Sequence, residues 1–420
     1  MTNNKFKKIQ LKLLFLLLIS LSPIYAEDLS FYHIGGKDKY YKIQAGENLM
    51  TVAEKYFFAA EHLMWANSST TLNVAEGRNI LLPSKRIVPI KDGKKKGYIV
   101  VNIPEFMVYI FTDEGKIRFF PIATGAPKTP TPTGVTKVIE KVKNPTWIPP
   151  EWAGGGDPVE AGPDNPLGDR WVGLGFPGYG IHSTTSPNSI GLSASHGCMR
   201  MRPNDVHVFF DLVRVGMPVY LIYEPIVIGQ DHSTKIIYMS VFPDNYSRIK
   251  NYYDEAMQKL AFYGISEIVD KNTIRRAVID KKGIPIPILG SDIEIMINGK
   301  KAELGLPPIK KDNKIYVTDS FFNQIGLESD FDGEYITFLK NDKAKSFKVN
   351  QDYSWSGEYL IPLREVLESF NINTEYKDNK INIVMNENTT IENQNNQNKD
   401  TEEEEVMTEE EEQIEGSTSD

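Results

Sequence analysis

The run Ser195, His196, Gly197, Cys198, Met199, Arg200 holds the single cysteine of a 420-residue chain, and His182 stands sixteen residues before the sulfur. A solitary thiol in an exported chain has no partner for an internal disulfide, so packing or chemistry must account for it. As a thiolate, cysteine attacks carbonyl carbon, and a neighbouring imidazole that takes its proton generates that form. Two imidazoles are near in sequence. His196, two residues before Cys198, would share its side of an extended strand, subject to the turn at Gly197. His182 follows Tyr179, Gly180 and Ile181 and could project from a separate strand into the same cleft. Gly197 lets backbone approach a reacting carbonyl, where the amide hydrogens of Gly197 and Cys198 would stabilise a developing oxyanion. Taken singly, each residue has a plainer reading: Cys198 as a small buried apolar group, His182 as a strand cap, Arg200 as a surface cation.

Strands must position these groups. Between Gly97 and Tyr223 the pattern is strand-rich, with strands expected at Tyr98 to Asn102, Met107 to Phe111, Ile117 to Ile122, Val135 to Val142 and Val219 to Tyr223, and a turn at Asp113 to Gly115. Helical periodicity appears only from Pro203 to Val215. The stretch from Asn144 to Arg170 is crowded with proline and glycine and reads as a long surface excursion of the kind that borders a site. This predicts a mainly β domain over 97–223 with one helix after the cysteine.

The order and spacing of His182 and Ser183, then Ser195, His196, Gly197, Cys198, Met199 and Arg200, resemble the L,D-transpeptidase catalytic domain of the YkuD type. Thr131, Pro132, Thr133 and Gly134, and the segment Asn144, Pro145, Thr146, Trp147, Ile148, Pro149, Pro150, are similar to that family too. The resemblance implies a β-sandwich or barrel with one helix, in which Cys198 is acylated and His182 is the general base. It further implies that Ser183 orients His182 through its main-chain carbonyl, that His196 and Gly197 shape the oxyanion region, and that Arg200 fixes the nucleophile loop or meets a substrate carboxylate. The implied reaction is attack of Cys198 on the carbonyl joining an L-centre diamino acid to a terminal D-alanine of a peptidoglycan stem. D-alanine leaves, and an amine of a second stem resolves the thioester into a cross-link. Water as acceptor would make the same residues a carboxypeptidase, and an inactive catalytic domain would leave a cell-wall binding protein.

Upstream, Tyr41, Lys42 and Ile43 lead through Gly46 to apolar Leu49, Val52, Ala53 and Tyr56 on one helical face. A second short helix near Glu61 to Ala66 and a strand Ile80 to Leu82 complete a β-α-α-β pattern over 40–84. Through Ile43, Gly46, Leu49, Ala53, Tyr56, Ala66, Asn67, Gly77, Ile80 and Pro83 it resembles a LysM module. That family implies a glycan groove, placed here at Gly46, Glu47, Asn48 and Leu49, although Glu47 and Asn48 depart from the commoner Asp-Thr pair. A spacer without glycan affinity is the alternative.

Residues 224–287 mix a strand pair with an amphipathic helix from Tyr246 to Phe262 and read as an appendage of the preceding domain. Further on, Phe321, Phe322, Ile325, Leu327, Phe331, Ile336 and Phe338 recur at an offset of 45 as Val366, Leu367, Phe370, Ile372, Tyr376, Ile381 and Ile383. Each unit reads strand, helix, two strands, and the pair would bury each other's apolar faces as an α+β repeat. With Tyr359, Leu360, Ile361, Pro362, Leu363 and Arg364, the 288–385 region resembles the copper amine oxidase N-terminal-like domain of bacterial envelope proteins. It offers no His or Cys cluster, so neither copper nor any other metal or cofactor is assigned, and spacing or adhesion is its expected role.

Lys5, Lys7, Lys8 and Lys12 followed by the apolar run Leu13 to Leu21 and Ala26 read as a secretory signal peptide over 1–26. An uncleaved signal would instead retain the protein at the membrane. Residues 386–420 are acidic and almost free of apolar groups, so disorder is expected. The net charge of −9 is dominated by that tail. No basic field remains to recruit nucleic acid, and Lys94, Lys95 and Lys96 read as a solvated turn. The expected partners are stem peptides and glycan strands, and the expected location is secreted, in the cell wall or periplasm.

Overall fold

Tyr98–Asn102 places Tyr98 and Val100 on one side and Ile99 and Val101 on the other, and all four are fully buried. Such a strand must lie inside a sheet covered on both faces. The computed structural model describes residues 31–90, 96–350 and 353–385. The expected signal peptide, Lys94, Lys95 and the acidic tail lie outside the described residues.

Two compact units form. The first takes the described residues up to 230 together with 239–255 and 280–285; the second takes 231–238, 256–279 and the described residues from 286 onward. The first contains an eight-stranded sheet in the order Met199–Arg200, Gly180–His182, Arg170–Leu174, Gly134–Lys143, Pro218–Ile222, Tyr98–Asn102, Met107–Phe111, Ile117–Pro121. The five strands read from the sequence fall within a residue of these bounds. Ile99, Val101, Val108, Ile110, Val138, Val172, Ile181 and Met199 fill one face beneath the helix Pro203–Leu212. Tyr98, Val100, Met107, Tyr109 and Phe111 cluster on the other. The helix stops three residues short of the expected Val215, because Val213 is already extended and Gly216 turns at φ +85°.

The βααβ pattern upstream is present as Lys39–Lys42, Leu49–Lys55, Ala60–Ala66 and Asn79–Leu82, with the two strands antiparallel. It is not hung on a free tether. Before it, Tyr32–Gly35 pairs antiparallel with Arg86–Val88, which follows it, and parallel with Ile226–Gln230. His62 Nε2 lies 2.7 Å from the Glu105 carbonyl oxygen, and the Ala59 N–H donates to Nδ1 at 3.4 Å. Those partners fit a neutral ring protonated at Nε2. The Arg202 guanidinium, two residues beyond the cysteine run's Arg200, donates to the Phe58 carbonyl at 2.6 Å, while Trp65 stacks on Phe106.

Burial, with Arg86 close by, drives the His62 pKa down to about 3. Above the unfolded value of about 6.5 this has no effect on stability. As pH falls below it the unfolded chain takes up a proton that the folded chain refuses, and stability is lost, about 3 kcal/mol by pH 4. His62→Gln should flatten the decline in unfolding midpoint between about pH 7 and 4 in denaturant titrations. An unchanged slope would contradict a neutral buried His62.

The segment read as one appendage, 224–287, is divided between the two units. Its helix begins at Tyr252, not Tyr246, because Asp244 accepts the Ile249 N–H at 2.6 Å and holds the preceding residues in a turn. In the second unit the repeat is visible as Lys314–Thr318, Asp319–Ile325, Glu328–Phe331, Tyr335–Lys340 and again as Glu358–Pro362, Leu363–Ser369, Thr374–Lys377, Lys380–Ile383. The first copy's helix is of the tighter 3₁₀ kind, and the matched apolar residues of both copies share one core, with Phe331 and Phe370 at its edge and Tyr376 left exposed.

Candidate active site

Met199–Arg200 runs parallel to Gly180–His182, with Ile181 opposite Met199 and His182 opposite Arg200. Ile181 and Met199 both enter the core, so His182 and Arg200 turn to the other face, and Cys198, two residues before Arg200, falls on it by the same alternation. On the neighbouring strand Trp171 stands opposite His182, its ring 5.9 Å from the imidazole. The indole lies over Gly180, where a Cβ would come within 2.5 Å of it. Trp171 was not legible as a site residue; the only trace in sequence is a tryptophan two residues before Gly173 in a strand whose partner carries Gly180.

The turn before the sulfur is closed by Ser195. Its hydroxyl donates to the Cys198 carbonyl at 2.5 Å and accepts the Gly197 N–H at 3.0 Å. Gly197 sits at φ +113°, and a Cβ there would meet the Tyr179 ring at 2.5 Å, so both conformation and space demand glycine. Two expectations change. The extended run stops at Ser195, so His196 does not share a strand side with Cys198 but lies exposed in the bend. The Gly197 amide, expected to face an oxyanion, is engaged by Ser195. Among the described residues the Cys198 amide carries no hydrogen bond, which leaves it as the donor of the pair.

His182 is almost fully buried, and its Nδ1 closes no hydrogen bond. The main-chain groups of Ser183 and Leu167 are near enough to favour its charged form, but the orienting bond expected from the Ser183 carbonyl is not completed. Ser183 is held instead by its N–H, which donates to the Arg170 carbonyl at 3.1 Å. The Pro- and Gly-rich excursion does border the site. Fully buried Asn165 organises it, donating to the Pro145 carbonyl at 2.7 Å and accepting the Leu167 N–H at 2.9 Å, which fixes Leu167 beside His182.

Burial, helped by the Arg200 charge, drives the His182 pKa down to about 4. Burial also raises the Cys198 thiol, with a Gly180 main-chain contact and Arg200 opposing. Both groups are therefore neutral at rest near pH 7, and the sulfur donates to the Gly178 carbonyl at 3.4 Å. Alkylation of Cys198 by iodoacetamide should climb steadily between about pH 6 and 9, because the thiolate fraction grows up to the raised pKa. A rate plateau below about pH 7 would show a resting thiolate–imidazolium pair and contradict these environments.

Of the glycan residues read from the sequence, Leu49 departs from expectation, while Gly46, Glu47 and Asn48 keep exposed surface. Leu49 is completely buried as the first core position of its helix and offers no surface to a ligand. Asn48 caps that helix, accepting the Thr51 N–H at 3.0 Å. Glu47 accepts the Tyr41 hydroxyl at 2.7 Å and pairs with Lys55 at 3.2 Å. Gly46 alone sits in an open left-handed turn. No group of three or more His, Cys, Asp or Glu side chains able to hold a metal occurs among the described residues.

A family model of the L,D-transpeptidase catalytic domain matches residues 96–221. ErfK/SrfK of Escherichia coli K12, named a probable L,D-transpeptidase, is 35% identical over 190 residues, covering 42% of this chain and 60% of the relative. YqjB of Bacillus subtilis 168, provisionally named an L,D-transpeptidase, is 33% identical over 129 residues, covering 30% of this chain and 70% of the relative. Among solved structures, the catalytic domain of an E. faecium L,D-transpeptidase is 28% identical, covering 31% of this chain and 99% of that one, with a TM-score of 0.26. The chain thus spans about 60% of the length of the first curated relatives it matches.

Proposed function

Because the chain belongs to the L,D-transpeptidase family, we propose that it is an exported peptidoglycan L,D-transpeptidase acting through an acyl-enzyme on Cys198. The observation that carries this reading is the parallel pairing that sets His182 opposite Arg200, two residues past Cys198. In the first half-reaction, the thiol proton passes to neutral His182 as sulfur bonds to the carbonyl carbon of the donor stem. The Cys198 N–H faces the oxyanion, and His182 returns the proton to the leaving D-alanine amine as the C–N bond breaks. In the second, an acceptor amine attacks the thioester, loses a proton to His182, and the sulfur leaves and is reprotonated.

Arg200 acts here through its field, disfavouring imidazolium and favouring thiolate. The βααβ module is read as LysM-like and glycan-holding, docked beside the catalytic sheet so that strand capture raises the local concentration of stems. The repeated α+β segment, similar to the copper amine oxidase N-terminal-like domain, is read as a spacer or adhesive element without copper.

Incubating the purified chain with disaccharide-tetrapeptides and resolving the products by mass spectrometry tests the proposal. The expected products are free D-alanine and a dimer cross-linked between diamino acids. D-alanine with tripeptide alone would make water the acceptor, and unchanged tetrapeptide would contradict the reading.

A further inference from the structure

We propose that Tyr246, which lies outside the segment matched by the family, is a positioning residue for the nucleophile. Its hydroxyl fixes the loop that sets the Gly197–Cys198 peptide plane. The inference rests on the reading of Cys198 as the acylated group.

The connection is a continuous chain of hydrogen bonds. The Thr131 hydroxyl is fully buried; it donates to the Gly197 carbonyl at 2.8 Å and accepts the Gly125 N–H at 2.9 Å. The peptide between Gly197 and Cys198 is planar and trans, so its C=O and N–H point in opposite directions. A bond that holds the Gly197 carbonyl on the Thr131 side therefore aims the Cys198 N–H away from Thr131, as the donor left for an oxyanion. Thr131 is held in turn. Its own N–H donates to the Tyr246 hydroxyl oxygen at 3.1 Å, and that hydroxyl donates to the Gly125 carbonyl at 2.9 Å. One phenol oxygen thus ties both ends of the 125–131 loop, whose Thr129 hydroxyl and Ala126 N–H also reach the Ser195 carbonyl at 3.1 and 2.8 Å.

Tyr246 is itself fixed. Its ring stacks on Tyr223 at 5.2 Å, its N–H donates to the Tyr223 hydroxyl at 2.8 Å, and the Arg248 guanidinium lies over both rings. The Tyr223 hydroxyl donates to Asp244, the carboxylate that holds the turn. Removing only the Tyr246 hydroxyl leaves the stack intact while freeing the Thr131 loop.

The test separates thiol reactivity from oxyanion support in the full-length chain. Acylation by ertapenem needs an aimed oxyanion donor, whereas alkylation by iodoacetamide does not. Tyr246→Phe should lower the saturating acylation rate about tenfold, with half-saturating ertapenem and the alkylation pH profile unchanged. Thr131→Val should show the same selective loss, and Thr131→Ser, which keeps the hydroxyl, should restore most of the rate. If Tyr246→Phe proves unstable, the Thr131 pair decides alone.

Acylation within twofold of the parent in a folded Tyr246→Phe protein would overturn the proposal, as would the same result in Thr131→Val. So would a parallel loss of acylation and alkylation, which marks general loosening. A parent protein that ertapenem does not acylate, or one acylated equally after Cys198→Ala, would instead reject the nucleophile assignment on which the inference stands.

Discussion

Cys198→Ala is expected to form no covalent adduct with a carbapenem and to lose D-alanine release by about 10⁴-fold or more. Of Cys198, His182 and Arg200, the sulfur is the group suited to carry an acyl intermediate. Arg200 has no free pair at neutral pH, and His182 is buried with its ring against Trp171. The deletion removes one partly exposed atom, so unfolding free energy should change by less than about 1 kcal/mol. Intact-mass spectrometry after carbapenem incubation, beside a thermal melt, reads both quantities. An undiminished adduct on a folded Cys198→Ala protein would place the nucleophile elsewhere.

His182→Gln should cost about 10² to 10⁴ in acylation, the usual worth of a positioned general base, and should change the shape of the pH profile. The parent imidazole is neutral above about 4, so base catalysis is available across the neutral range and is lost as pH falls through that value. In the variant the acid limb near 4 should vanish, leaving only the rise toward the raised thiol pKa. Iodoacetamide alkylation, which depends on thiolate alone, should stay within about threefold of the parent. Because the folded pKa is depressed, His182 is neutral in both states above about 6.5 and destabilises the fold as pH falls from there toward 4, so the variant should also be less acid-labile. A pH profile and rate equal to the parent's would remove His182 from the chemistry.

The sheet was readable because alternation and burial agree along Tyr98–Asn102 and Met107–Phe111, where a strand covered on both faces leaves a continuous apolar signature. Cys198 and His182 stood out because their order and spacing with Ser195 to Arg200 resemble the L,D-transpeptidase signature, and the structure sets their two segments side by side. What sequence concealed was hydrogen-bond traffic at the turn. Nothing in the order of residues says that Ser195 would take the Gly197 amide, or that Tyr246 would tie Thr131 to Gly125 from more than a hundred residues away. Leu49 was misplaced for a related reason. A position at a loop–helix junction reads equally as groove or core, and only the packing of the module decides. The docking of that module was hidden as well, since it depends on buried His62 and on Arg202, which follows the cysteine run.

Trapping the donor half-reaction shows whether Cys198 is acylated. The purified chain, mixed with a tetrapeptide stem and quenched in acid within seconds, should gain the mass of the stem less its terminal D-alanine. Proteolytic mapping should place that acyl group on the fragment containing Cys198. D-alanine appearing without any adduct at Cys198, or an adduct mapped to another side chain, would contradict that acylation.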